Sequence, residues 1–169
     1  AIALAEVGAI AERRIDRLLD RMRSHGLPPF LADDPGVDSG LMIGQYTVAA
    51  MCAENRRLAS PASVDSLPTS GMQEDHVSMA WGAVRKLRRV VDNVRRILAV
   101  ELTVAGRAVD LRHPVEPAPG TGAALAALRR VVAGPGPDRF LSPELAAAEE
   151  LLASGGLLAE VAAVTGPLA

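Results

Sequence analysis

Apolar positions early in the chain recur at helical spacing. Val7, Ala11, Ile15, Leu18 and Met22 lie three and four apart, with Arg13, Arg14, Asp16, Arg17 and Asp20 between them. Side chains so spaced share one face of an α-helix, so the segment predicts an amphipathic helix. No capping residue precedes Ala1-Ile-Ala-Leu-Ala-Glu-Val7, and the chain is expected to open inside that helix. Gly26 is placed to end it, and Pro28 and Pro29 cannot continue it. After Asp33-Asp-Pro-Gly36, either Asp38 or Ser39 can cap a second helix predicted over 40–58, which Ser60-Pro61 stops. Residues 62–72 show no periodicity and read as a loop. Residues 74–112 are free of proline and predict one continuous helix, about 55–60 Å long at ~1.5 Å per residue. Its stripe of Leu87, Val91, Val94, Leu98 and Leu102 calls for partner helices. A Pro- and Gly-rich stretch, 113–122, then precedes short helices expected near 123–132, 143–153 and 157–164. Ser142 is expected to cap the second of these, with Pro143 first and Glu144 in the first turn. No stretch alternates as a strand does. The expected fold class is all-α, a long-helix bundle segment, with a core segment at 1–112 and a short-helix region at 113–169.

Composition narrows the function classes. Of 169 residues, 49% are hydrophobic, enough for a chain this long to bury roughly two thirds of its unfolded surface. Only 2% are aromatic, which favours closely packed Ala- and Leu-rich helices over sheets. The net charge of −2 points to neither nucleic acid nor an anionic membrane. Arg85, Lys86, Arg88, Arg89, Arg95 and Arg96 do form a basic cluster, but Asp92 and Glu101 lie nearby and no aromatics are interleaved. Salt bridges between packed subunits are its expected use. Cys52 is alone in an apolar stretch, where a thiol packs as a hydrophobe, and a reducing compartment fits. With neither a membrane-length apolar run nor a visible leader, a soluble protein is expected.

The stretch richest in chemistry is Pro61-Ala-Ser-Val-Asp-Ser-Leu-Pro-Thr-Ser-Gly-Met-Gln-Glu-Asp-His-Val-Ser-Met79. It is a polar loop ending in an amide, two carboxylates and an imidazole at an expected helix start. On residue chemistry alone two readings stand. Glu74 and Asp75 suit the positive end of a helix dipole, and the same groups suit acid–base work.

This stretch resembles the signature of the aromatic amino acid ammonia-lyases, in which a Pro-Ala-Ser-Val-Asp-Ser loop leads into Gln-Glu-Asp-His-Val-Ser-Met. Leu27-Pro-Pro-Phe-Leu31, Asp38-Ser-Gly-Leu-Met42, Gln45, Glu54-Asn55 and Asp110-Leu-Arg112 fall in that family's order and spacing. Gly134-Pro-Gly-Pro-Asp-Arg-Phe-Leu141 and Val164-Thr-Gly-Pro-Leu168 resemble the tail of its actinobacterial histidine-specific members. Asp38, Leu41 and Met72 depart from the usual Asn, Phe and Asn, which leaves the detailed pocket shape open. The Gly-Ser-Ser-rich loop of the fumarase and argininosuccinate lyase type is absent.

The resemblance implies the C-terminal part of a histidine ammonia-lyase: a cytoplasmic homotetramer that converts L-histidine to urocanate and ammonia. It implies a 4-methylideneimidazol-5-one prosthetic group, made from an Ala-Ser-Gly in the N-terminal remainder of the enzyme, and no metal. Ala153-Ser154-Gly155 is the one such tripeptide here, and it reads as a helix end with a glycine cap. Carried over by position, Glu74 is the catalytic candidate, and Gln73 and Met42 are candidate substrate-binding residues. Phenylalanine and tyrosine lyases carry Asn-Gln-Asp where this chain has Gln73-Glu74-Asp75. A carboxylate can accept from an imidazole N–H, whereas a phenyl ring would leave it desolvated and unpaired, so Glu74 points to histidine. The alternatives are a tyrosine or phenylalanine lyase or aminomutase, and a non-catalytic helical fragment of a split enzyme.

Overall fold

A computed structural model of the chain describes residues 1–167. Among them are six α-helices and no strand: α1 (Ile2–Leu19), α2 (Met42–Leu58), α3 (Ala80–Asp110), α4 (Pro119–Arg129), α5 (Ser142–Ala153) and α6 (Gly156–Thr165). None is long and apolar enough to cross a membrane. Leu168, the end of the closing motif, lies outside the described residues.

The main core joins Ala11, Ile15 and Leu19 of α1, Val48 and Cys52 of α2, and Ile97, Val100, Val104 and Ala108 of α3, with Leu27, Leu31 and Leu41 from the α1–α2 connection. The buried side of α1 is therefore Gly8-Ala11-Ile15-Leu19, rotated from the stripe expected through Val7 and Met22, which are 41% and 79% exposed. Close approach sets this rotation: a Cβ on Gly8 would stand 3.2 Å from Ile97 Cδ1. The helix also stops at Leu19, before the glycine expected to end it. Asp20 leaves helical geometry, and its carboxylate accepts from Met22 N at 2.9 Å and Arg23 Nε at 2.7 Å, a local bond that competes with the helix.

Helix α2 begins at Met42, and neither Asp38 nor Ser39 caps it: the N-cap is Leu41, with no side-chain bond. Helix α3 begins at Ala80, six residues after the expected start at Glu74. At ~1.5 Å per residue its 31 residues span about 46 Å. Its buried face is Val90, Val94, Ile97, Val104 and Ala108, whereas Leu87 and Val91 of the expected stripe are each 38% exposed. A second cluster, Ala99, Leu128, Val132 and Ala148, packs α5 and the end of α4 on the other side of α3. A Cβ on Gly106 would come within 2.5 Å of Leu128 Cδ2, so this contact also relies on a small residue.

The C-terminal helices differ from expectation at their starts. Helix α4 takes in Pro119, Gly120 and Gly122 from the expected linker, because Pro119 suits a first turn and Gly120 lies against α6, where a Cβ would sit 2.9 Å from Thr165 Cγ2. Ser142 is the first residue of α5, not its cap, and Glu144 is drawn to Arg139 at 2.5 Å. Part of the basic cluster on α3 is used within the chain: Arg89 pairs with Glu54 at 3.2 Å, Arg96 with Glu149 at 3.5 Å, and Lys86 donates to the Ser60 carbonyl. Between α2 and α3, buried Asn93 donates to both Asn55 Oδ1 and Glu54, which fixes the helix register with polar contacts inside the core.

Candidate functional site

The loop between α2 and α3 is ordered by its own backbone. Thr69 N donates to Glu74 O at 2.9 Å and Glu74 N to Thr69 O at 3.2 Å, an antiparallel bridge closed by the 3-10 turn Ser70–Met72. Ser66 Oγ donates to Val77 O at 2.9 Å and accepts from Val77 N at 2.8 Å, tying the two arms together nearer the base. This pairing holds Gln73–Met79 out of the helix that the absence of proline predicts. At the root, Ser60, Pro61 and Ala62 wall an apolar groove of about 450 Å³ together with Ile2, Leu58 and Leu87.

The result is a tongue whose Gln73, Glu74, Asp75 and His76 are all exposed. Glu74 joins no ion pair among the described residues, so its carboxylate is free for a ligand. Among the described residues its only hydrogen bonds are the two made by its main chain.

Met42 lies elsewhere. At the first residue of α2 it lines a cavity of about 450 Å³ with Glu12, Arg13, Phe30, Gln45, Tyr46 and Ala49. Phe30, Met42 and Ala49 supply an apolar side. Ionic and polar groups line it as well: Arg13 holds the nearly buried Glu12 carboxylate through Nε at 2.5 Å and Nη2 at 2.6 Å. That contact pushes the Arg13 guanidinium further up, so it stays cationic. Gln45 Nε2 donates to Asp16 Oδ1 at 2.7 Å, which fixes the amide beside the cavity. A cleft lined by both apolar and charged groups suits a small molecule that carries both. Gln73 and Glu74 do not line it.

Thus the three sequence candidates fall in two places, Met42 in the cavity and Gln73 with Glu74 on the tongue. Sequence reasoning missed Glu12, Arg13, Phe30 and Tyr46. By sequence Arg13 is only one of the charged residues between the apolar positions of α1, and nothing in the residue pattern announces that Phe30 takes a left-handed φ of 55°.

The residues present do not fit formation of the prosthetic group. Ser154 is the exposed C-cap of α5, with Oγ donating to Leu151 O at 3.3 Å and accepting from Gly156 N at 3.4 Å. Gly155, at φ 75°, turns the chain directly into α6. This is a helix-to-helix junction, the role its glycine cap predicts. No group of three or more His, Cys, Asp or Glu able to hold a metal occurs among the described residues.

The family model for aromatic amino acid lyases matches residues 1–130. Histidine ammonia-lyase of Streptomyces avermitilis is 62% identical over 170 residues, covering 100% of this chain and 33% of its own length. In three dimensions the chain superposes on histidine ammonia-lyase from Trypanosoma cruzi with a TM-score of 0.90 at 39% identity, over 95% of this chain and 31% of that one. Tyrosine aminomutase from Streptomyces globisporus gives 0.93 at 40% identity, over 99% and 32%. The chain thus spans about a third of the length of these relatives. By the family match over most of its length and by its identity to these relatives, the chain belongs to the aromatic amino acid lyase family.

Proposed function

We propose that this chain is the C-terminal part of a histidine ammonia-lyase, which removes ammonia from L-histidine to give urocanate. The observation that carries the reading is Glu74, a carboxylate without an ion-pair partner among the described residues, on an exposed tongue held by its own backbone bonds. In the whole enzyme Glu74 accepts a hydrogen bond from the substrate imidazole and stabilises positive charge on the ring. Gln73 lies beside it as a polar contact. Met42, with Phe30, offers an apolar surface in the cavity where Arg13 supplies a cation. The 4-methylideneimidazol-5-one group comes from residues outside this chain, in the N-terminal remainder, with which residues 1–112 pack as the long-helix core and 113–169 as a flanking short-helix region. The enzyme works as a cytoplasmic homotetramer. The exposed Trp81, Val84, Leu87 and Val91 of α3 support assembly, because an apolar row of that length marks an interface.

Substrate choice tests the reading. The full-length enzyme, offered L-histidine, L-tyrosine and L-phenylalanine separately and followed by ultraviolet absorbance, is expected to form urocanate and to leave the other two essentially unchanged. Preferential consumption of tyrosine or phenylalanine would overturn it.

A further inference from the structure

Asp138, in the loop between α4 and α5, lies outside the residues matched by the family model, yet it reaches the start of α2. Asp138 Oδ2 accepts from Ser39 N at 2.7 Å and Oδ1 from Gly40 N at 2.8 Å. The grip is mutual, because Asp138 N donates to Asp38 Oδ1 at 3.1 Å while Asp38 Oδ2 accepts from Asp34 N at 3.2 Å. Asp38, expected from sequence as a helix cap, is thus one half of a clasp across a hundred residues of chain.

What the clasp holds is one side of the Met42 cavity. Gly40 sits so close to Phe30 and Ala32 that a Cβ would stand 2.6 Å from Phe30 O and 2.9 Å from Ala32 N, at a φ of 59° that side chains rarely adopt. Leu41 N then donates to Phe30 O at 2.9 Å. Phe30 and Leu31 both take φ 55°, a left-handed conformation that non-glycine residues keep only when their surroundings enforce it. The chain of contacts runs from Asp138 through Gly40 to the Phe30 carbonyl, and through Leu41 to Met42.

The far side of the clasp is itself braced. Buried Arg107 donates through Nη2 to Gly136 O at 2.8 Å, and Arg139 Nη2 donates to Ala133 O and Gly134 O at 3.1 Å each. A carboxylate on a loop fixed in this way can hold a wall in place. The two amide contacts, led by that from Ser39, hold the Asp138 carboxyl below its ordinary range, so it is ionised near neutral pH.

We propose that Asp138 is a positioning residue for substrate binding: from the C-terminal region it clamps the Ser39 and Gly40 amides and so fixes where Phe30 and Met42 stand in the lining of the cavity. This rests on the reading of that cavity as part of the substrate site. Asp138 touches no substrate; it acts through the backbone it holds.

The test uses full-length enzyme carrying Asp138→Ala or Asp138→Asn, with steady-state kinetics on whichever of L-histidine, L-tyrosine and L-phenylalanine the parent consumes. Amide hydrogen exchange over residues 33–45 reports the clasp without reference to any reaction. For Asp138→Ala, KM is expected to rise about tenfold, with a smaller fall in kcat and faster exchange over 33–45. Asp138→Asn keeps one acceptor oxygen and is expected to recover at least a third of the loss. A merely structural role reduces the fraction of active enzyme, lowering kcat at constant KM, and that result overturns the proposal. So does faster exchange with unaltered kinetics, and unaltered exchange overturns the clasp itself. A parent that prefers tyrosine or phenylalanine refutes the histidine reading alone, because the variants are then scored on that substrate; a parent inert toward all three refutes both.

Discussion

Glu74→Gln in the full-length enzyme separates a catalytic carboxylate from one that only decorates a loop. The substitution keeps side-chain size but removes the charge and the capacity to accept from two donors at once. On the folding side there is little to lose: Glu74 is exposed, makes no ion pair among the described residues, and contributes to the tongue only through its main-chain bonds to Thr69, which glutamine retains. Helix-dipole stabilisation is not at stake either, because α3 begins at Ala80, well beyond the first turn over which such effects act. The melting temperature is therefore expected to move by no more than about 2 °C, as for a surface substitution worth under ~0.5 kcal/mol. On the catalytic side, losing a charged contact that strengthens in the transition state costs about 2.7–4 kcal/mol, or ~10²–10³ in turnover. Steady-state urocanate formation from L-histidine, with a thermal melt and a native mass on the same preparation, reads both quantities. Turnover within about threefold of the parent would refute the assignment; a lost fold or assembly would refute the structural half of the argument.

Three further outcomes follow from the packing. Ile97→Ala removes a fully buried side chain from the α1–α2–α3 core and is expected to destabilise by about 2–5 kcal/mol, seen as a lower melting temperature. Asp138 and Glu144 are both held below their ordinary values of 3.8 and 4.5, Asp138 chiefly by the Ser39 amide and Glu144 chiefly by Arg139. Carboxyls depressed in the folded state contribute stability that is present above those ordinary values and is lost as pH falls through the lower folded ones. Acid unfolding should therefore steepen below pH ~4.5, and Glu144→Gln should blunt that dependence in pH-scanned melts. The chain of 169 residues by itself is expected to form no urocanate, because its only Ala-Ser-Gly is a helix junction, and to self-associate through the exposed Trp81, Val84, Leu87 and Val91; urocanate production or a stable monomer in light scattering would count against this.

The local pattern was enough for the all-α class and for the approximate span of most helices. Spacings of three and four specify a helix wherever they occur, and the Gln73-Glu74-Asp75-His76 run carries its chemical identity in its residue types. The same pattern could not decide which of two neighbouring stripes is buried. On α1 the choice of Ala11, Ile15 and Leu19 over Val7 and Met22 follows from Gly8 admitting Ile97, a contact with a residue far along the chain. On α3, apolar residues surround much of the helix, and only the positions of α1, α2 and α5 say which of them are covered. The late start of α3 was likewise hidden, because freedom from proline permits a helix at Glu74 but does not compel one. Cross-bonds from Thr69 and Ser66 hold those residues extended instead. Asp138 shows the limit most plainly: a loop aspartate among prolines and glycines has no local signal, and its role exists only because the tertiary fold brings it to the amides of Ser39 and Gly40. Short-range sequence sets what each segment can form; long-range packing chooses among those options, since the deciding energies arise between residues that are distant in the chain.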